Sequence, residues 1–418
     1  MKIAITSDTY YPMTNGVAVF TYNLAKGLAA RGNEVLVLVP SFRKKKYTRT
    51  RDGVKVCYLT SKRFPFYPDQ IHEIPKRKKF LGIKLPRFGY KNGMWMAINP
   101  WFEMEKILNE FQPDVIHLQT VGMTGVAAVH YARKFNVPLV STGHSYPDNY
   151  TSQFKLLKPV KKPADAAVKA YMTSFMKKSS YATMPTELAI ADLVPKNRKK
   201  FKVPVEALSN GIDLSEFKPG KPSKKICERY KIDMNKPRVL YVGRVDPEKS
   251  IDKVIEAFSM AVSKVEDAEM LVVGDGIAKA SLELLVKEKG LQDKIRFLGK
   301  IMLPDLVDIY RTGTLFATAS ETETQGIVLI EAAAVSLPLV AVDAGAVGEL
   351  CRNKENGFLC KPGNIKEISS AMVKILSDQK LQKDFSKNSL EIAKKHDINH
   401  TLSRFEEIYK KAIELKNN

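Results

Sequence analysis

Glu323 and Glu331, eight residues apart in the stretch ETETQGIVLIE, are the residues of this 418-residue chain whose spacing first suggests chemistry. Two solvated surface carboxylates would have the same spacing, since Glu is common in helices. Their neighbourhood adds to the case. The apolar run after Gly326 predicts a helix whose first N–H groups have no partner inside the helix and suit an anion such as phosphate. With a rise of about 1.5 Å per residue, Glu323 falls in the loop ahead of that helix and Glu331 more than a turn inside it. The carboxylates then flank the helix amides, one able to accept from sugar hydroxyls and the other from a ribose diol. A nucleotide sugar has that layout. Arg244 and Lys249, in GRVDPEKS, form a second device: a planar fork and a mobile point charge suited to a diphosphate. Two surface bases near a turn would be the plainer account of that pair. Two phosphate devices in one half of the chain favour the chemical one.

Strands must end beside these residues if they are to work together. Short β-branched runs alternate with amphipathic stretches along the whole chain, the pattern of βαβ units on a parallel sheet. The first half offers KIAITSD, EVLVLVP, VKVCYLT, DVIHLQT, PLVSTGH, YATMPT and PVEALSN; the second offers RVLYVGR, EMLVVGDG, KIRFLGK, LFATAS, PLVAVDAG and GFLCKPG. At 418 residues the chain exceeds the size at which one core stops growing. Two doubly wound α/β domains are expected, 1–205 and 206–418, with the Gly-, Pro- and Lys-containing stretch 210–225 as the connection. A terminal helix over about 401–416 places Leu402, Phe405, Ile408, Tyr409 and Ile413 on one face and is expected to dock. Ligands on such sheets collect at the carboxyl ends of the strands, and the motifs above sit there.

The N-terminus runs straight into a strand-like pattern without a signal-peptide layout, and the longest apolar run, broken by Glu331 and Pro338, is too short to span a bilayer. Cys57, Cys227, Cys351 and Cys360 have no CxxC spacing and read as ordinary reduced thiols. His72, His117, His130, His396 and His400 lack metal-ligand spacing, and no metal site is expected. The net charge of +22 is unevenly placed: residues 1–205 carry +21 and residues 206–418 carry +1. Basic clusters of this kind attract anionic membranes, nucleic acid or acidic substrates. Aromatics interleaved in RFPFYPDQIHEIPKRKKF could stack bases, yet no zinc-finger, RNP or helix-turn-helix pattern accompanies them, and no nucleic-acid partner is expected.

Six motifs in order, SDTYYPMTNGV, STGHSY, LSNGIDLSEF, GRVDPEKS, VVGDG and ETQGIVLIE, resemble those of the family-4 retaining glycosyltransferases of the GT-B fold over essentially the whole chain. Within that family the chain looks most like the enzymes that glucosylate diacylglycerol, whose loops often read ETQG. Many other relatives carry Pro and an aromatic where this chain has Thr324 and Gln325. The resemblance implies two Rossmann-like domains facing across a cleft and transfer of a hexose, glucose from UDP-glucose, to 1,2-diacylglycerol. It implies Arg244 and Lys249 as the diphosphate clamp, Glu323 as a donor-sugar contact, Glu331 as the ribose contact, and His144 beside the reacting carbon. Gly16 would bring its backbone to the donor phosphates, Lys300 and Ile301 would hold the base through backbone groups, and Thr324, Gln325, Gly326 and Ile327 would complete the donor loop. The nucleotide sugar is then substrate, with no cofactor. The basic residues Lys44, Lys45, Lys46, Lys76, Arg77, Lys78, Lys79, Lys155, Lys158, Lys161 and Lys162, with Phe80, would hold the enzyme on the inner face of the cell membrane, peripheral and cytoplasmic. Phe64, Phe66, Tyr67, Leu81, Ile83 and Leu85 would enter the interface. A soluble or phosphorylated acceptor, a mannosyl donor and a nucleotide-sugar epimerase remain as alternatives.

Overall fold

The computed structural model describes residues 1–13, 15–63, 95–147, 151, 160–194 and 201–417. The described strands, in chain order, are β1 (Lys2–Thr6), β2 (Glu34–Pro40), β3 (Tyr47–Arg51), β4 (Val54–Leu59), β5 (Ser61–Arg63), β6 (Trp95–Ala97), β7 (Val115–Leu118), β8 (Leu139–Thr142), β9 (Tyr181–Met184), β10 (Val205–Ala207), β11 (Arg238–Val242), β12 (Glu269–Val273), β13 (Ile295–Gly299), β14 (Leu315–Ala317), β15 (Leu339–Val342) and β16 (Gly357–Cys360). The chain forms two compact units, Met1–Leu208 together with Leu402–Asn418, and Ser209–Thr401.

The first unit is built on an eight-stranded sheet in the order β10-β9-β8-β7-β1-β2-β4-β3. Its strands run parallel except β3, which pairs antiparallel with β4 at the edge. The inner strands are apolar along their length and buried on both faces, as in Val35 to Val39, because helices cover both sides. β3 was not expected, since YTRTR lies inside a basic cluster. The Asp52–Gly53 pair that follows it, with φ of 50° and 75°, is the tight-turn chemistry that makes the hairpin.

The last helix, Ile398–Asn417, corrects the expected division of the chain. From Leu402 onward it belongs to the first unit and not to a 206–418 domain. The reason is the apolar face read from the sequence. Leu402, Phe405, Ile408 and Tyr409 are buried, with Phe405 against Phe20 and His117. Gly27 makes room for this packing: a Cβ there would lie 2.5 Å from a Leu402 methyl. His117 is fully inaccessible and bonds Tyr409 through Nδ1 (2.7 Å) and Thr142 through Nε2 (2.7 Å).

The second unit holds a six-stranded, wholly parallel sheet in the order β13-β12-β11-β14-β15-β16. This is the doubly wound order, with the reversal between β11 and β14. Helices Ile251–Ala261 and Ile365–Ser377 seat Val254, Phe258, Ile368 and Met372 on one face. Helices Asp305–Arg311, Ile327–Ala334 and Gln379–Lys394 seat Ile309, Leu329, Ile330 and Ile392 on the other. Among the described residues no helix is long and apolar enough to cross a membrane.

Candidate active site

In the second unit the charged motifs emerge where the strand order reverses, in the loops after β11 and β14. The first loop opens at Gly243 (φ 151°), and the end of β12 presses so close that a Cβ on Gly274 would sit 1.8 Å from the Gly243 carbonyl oxygen. No side chain fits there, and a Cβ on Gly276 would lie 2.2 Å from the Val245 carbonyl oxygen, so the glycines of VVGDG are needed for close approach. Arg244 follows, its guanidinium paired with Asp246 and Glu248 and its carbonyl accepting from the Tyr241 hydroxyl (2.8 Å). A single turn, Pro247–Lys249, brings up Lys249, whose Nζ donates to Glu323 Oε1 at 2.6 Å. Both side chains of that pair are largely buried, at 15% and 17% exposure.

The two glutamates stand in opposite electrostatic settings. Burial works to raise the Glu323 pKa, but the charge and hydrogen bond of Lys249, helped by Arg244, outweigh it and hold the carboxyl below its ordinary value. Glu331 has no such cation. Burial pushes its pKa up to about 7, opposed only by the Tyr310 hydroxyl, which donates to Oε2 at 2.6 Å. Near neutrality one carboxylate is therefore firmly ionised and the other poised between states.

The loop between them is held at both ends. The Glu323 carbonyl accepts from Ala346 N–H at 3.0 Å, against Gly345 (φ 54°), where a Cβ would lie 2.6 Å from that same oxygen. Gly326 (φ 86°) then turns the chain into helix Ile327–Ala334, and Leu329 N–H already bonds the Gly326 carbonyl. Thr324 and Ile327 are half-buried beside this turn. Gln325, expected in the donor loop, is buried, its side chain donating to Ser209 Oγ (2.6 Å) and accepting from Asn210 N–H (3.1 Å). After β13, Lys300 is half-buried and its pKa is lowered by burial, with Asp275 opposing; Ile301 packs into the core beneath.

In the first unit, helix Gly16–Ala30 begins at Gly16, with Asn15 capping Ala18 N–H at 2.8 Å. His144 follows β8, its Nε2 bonded to Gln119 Oε1 (2.7 Å) and its ring 5.1 Å from Phe20. The residue is half-buried, and burial lowers its pKa to about 3, which leaves the ring neutral. Asp8 had no assigned role. Its buried carboxylate accepts from the Thr120 hydroxyl (2.6 Å), Gly122 N–H (3.0 Å) and the Thr124 hydroxyl (2.9 Å), tying the loop after β1 to the loop after β7. The only sequence signal was its place in SDTYYP.

Of the basic residues assigned to a membrane, Lys44, Lys45 and Lys46 are exposed ahead of β3, and Lys161 and Lys162 are exposed at the start of helix Lys161–Lys177. Lys76, Arg77, Lys78, Lys79, Phe80, Lys155 and Lys158 lie outside the described residues, as do Phe64, Phe66, Tyr67, Leu81, Ile83 and Leu85. Among the described residues no group of three or more His, Cys, Asp or Glu is placed to hold a metal ion.

Residues 14–216 match Glycosyltransferase Family 4, and residues 223–391 match Glycosyl transferases group 1. The chain is 26% identical to a GDP-mannose-dependent alpha-mannosyltransferase of Mycobacterium tuberculosis over 88% of this chain and 85% of that protein. It is 26% identical to an alpha-monoglucosyldiacylglycerol synthase of Streptococcus pneumoniae over 86% of this chain and 75% of the relative. A sucrose-phosphate synthase from Thermosynechococcus elongatus superimposes with a TM-score of 0.75 at 18% identity, covering 98% of both chains, a likeness of fold. Two Rossmann-like units, the ordered motifs and both matched regions make this chain a member of the family-4 glycosyltransferases of the GT-B fold, a group 1 glycosyltransferase.

Proposed function

We propose that this glycosyltransferase moves a glucosyl group from UDP-glucose to the free hydroxyl of 1,2-diacylglycerol with retention at the anomeric carbon. The observation that carries the donor half is the buried Lys249–Glu323 pair beside Arg244, at the strand-order reversal of the second unit. Arg244 pairs with Asp246 and Glu248, and Lys249 with Glu323. A diphosphate takes over those cations and releases Glu323 to accept from sugar hydroxyls. The helix amides beyond Gly326 take a phosphate oxygen, and Glu331 accepts from the ribose diol. In the transfer, the bond from the anomeric carbon to the phosphate oxygen breaks on the face where the acceptor oxygen bonds, and the acceptor proton passes to the leaving phosphate oxygen. Charge developing on UDP is met by Arg244, Lys249 and the amides, with no divalent metal required. His144 carries the sugar-facing role and Gly16 a backbone contact to the phosphates.

The lipid acceptor is supported by the Streptococcus pneumoniae relative and by the charge of +21 in residues 1–205. That charge would hold the enzyme on an anionic cytoplasmic leaflet as a peripheral protein. The Mycobacterium tuberculosis relative favours one competing donor, GDP-mannose. The test is a panel: purified chain with UDP-glucose or GDP-mannose, offered diacylglycerol vesicles or soluble sugar phosphates, with and without a chelator. An α-glucosyl diacylglycerol formed in the presence of chelator is expected. A product only from soluble acceptors, an inverted anomeric proton, or a strict need for divalent metal would each refute its part of the reading.

A further inference from the structure

Gln325 sits in the middle of the loop that carries Glu323, but its amide is committed elsewhere. Its Nε2 donates to Ser209 Oγ at 2.6 Å, and its Oε1 accepts from Asn210 N–H at 3.1 Å. Ser209 is a hub. Its hydroxyl also accepts from Gly211 N–H (3.1 Å) and lies 2.8 Å from His396 Nδ1, while its carbonyl accepts from the Thr401 hydroxyl (2.9 Å). A serine oxygen offers two lone pairs and one proton. Gln325 and Gly211 occupy the lone pairs, so the proton goes to His396 Nδ1, which must be unprotonated. Burial of His396, together with Lys395 and Arg352, lowers its pKa to about 4 and agrees with a neutral ring.

The hub also has a defined place in the chain. Ser209 and Thr401 are the two residues at which the chain enters and leaves the second unit. The segments beside them are laced together, with Ile212 N–H bonded to the His396 carbonyl and Ile398 N–H to the Ile212 carbonyl, each at 2.9 Å. Gly211 (φ 69°) cannot carry a side chain there, since a Cβ would lie 2.8 Å from the Ile398 Cα.

We propose that Gln325 is a positioning residue: through Ser209 it fastens the donor loop to the paired segments that connect the second unit to the rest of the chain. Nucleotide affinity therefore depends on Ser209, a side chain outside the donor loop. This rests on the reading that the loop 320–326 holds a nucleotide sugar. A loop that must aim amides and a carboxylate at a diphosphate sugar gains from being fixed beforehand, because the cost of ordering it is then not taken from binding.

The test is a double-mutant cycle on the full chain, with UDP binding measured by calorimetry and GDP as the second probe. Ser209→Ala and Gln325→Ala are each expected to weaken binding about tenfold, the scale of one buried hydrogen bond, with the double variant no weaker than either. The KM for acceptor should stay unchanged. Wild-type affinity in Ser209→Ala, or additive losses, would overturn the proposal and make Gln325 a direct contact. If wild type binds GDP and not UDP, the donor assignment fails, and the cycle run with GDP still decides the role of Gln325. Gln325→Met keeps the length of the side chain without its hydrogen bonds and guards against misfolding. A variant whose thermal unfolding shows it folded at the assay temperature should still bind UDP about tenfold more weakly, with the KM for acceptor unchanged. Wild-type UDP affinity in that folded variant would refute the role.

Discussion

Acid should loosen the first unit through His117, and by an amount the structure allows to be worked out. The ring is fully inaccessible, with both nitrogens bonded to hydroxyls and Phe405 against its face. Burial, with a smaller contribution from His144, lowers its pKa from 6.5 to about 3. As pH falls below 6.5 the unfolded chain takes up a proton that the folded chain refuses. The stabilisation is therefore complete above about pH 6.5 and is lost towards pH 3, at about 1.4 kcal/mol per pH unit. At pH 5 the loss from His117 is about 2 kcal/mol, a large share of an ordinary domain stability. The chain's two tryptophans, Trp95 and Trp101, both lie in the first unit, so their fluorescence during urea unfolding reports that unit alone. His117→Gln removes the titrating group. The stability difference between wild type and this variant should shrink by about 2 kcal/mol between pH 7.5 and pH 5, with other titrating groups cancelling in the comparison. A difference that stays constant with pH would refute the account of His117 as a buried neutral base.

Other outcomes follow from the second unit and the basic edge. Arg244→Ala and Lys249→Ala should each lower turnover by about 100-fold, the usual scale for losing a charge partner of a leaving group, and near-wild-type rates in either would remove the clamp assignment. Glu331 ionises near pH 7, so if its anion accepts from the ribose, the KM for donor should fall as pH rises from 6 to 8. Glu331→Gln should flatten that profile, and an unchanged profile would place the titration elsewhere. Gly345→Ala forces a side chain onto the Glu323 carbonyl at a positive φ and should cost about 1–3 kcal/mol of stability in the second unit, read by thermal unfolding. Replacing Lys44, Lys45 and Lys46 by Ser should weaken binding to anionic vesicles by up to about 1 kcal/mol per residue and leave UDP binding alone; undiminished vesicle binding would disconnect this edge from the membrane.

The sequence by itself determined what depends on near neighbours along the chain. Each of the thirteen β-branched runs singled out beforehand contains a strand, because an apolar run bounded by turn residues needs little else to be recognised. Gly326 at the head of the helix bearing Glu331 was legible for the same reason. Tertiary structure decided whatever depends on a distant partner. Gln325 lies in the donor loop by sequence, but its amide bonds Ser209 and Asn210, more than a hundred residues away. Asp8 is one acid among many until strands β1 and β7 come side by side and bring it Thr120, Gly122 and Thr124. The apolar face of the last helix was visible, but not what it would cover; Phe20, Gly27 and His117 all come from the N-terminal part of the chain, far away in sequence. Glu323 and Glu331 look alike in the sequence. Lys249, brought against one by the meeting of two loops, and the apolar burial of the other give them opposite protonation behaviour, since a pKa is set by what surrounds a group in space.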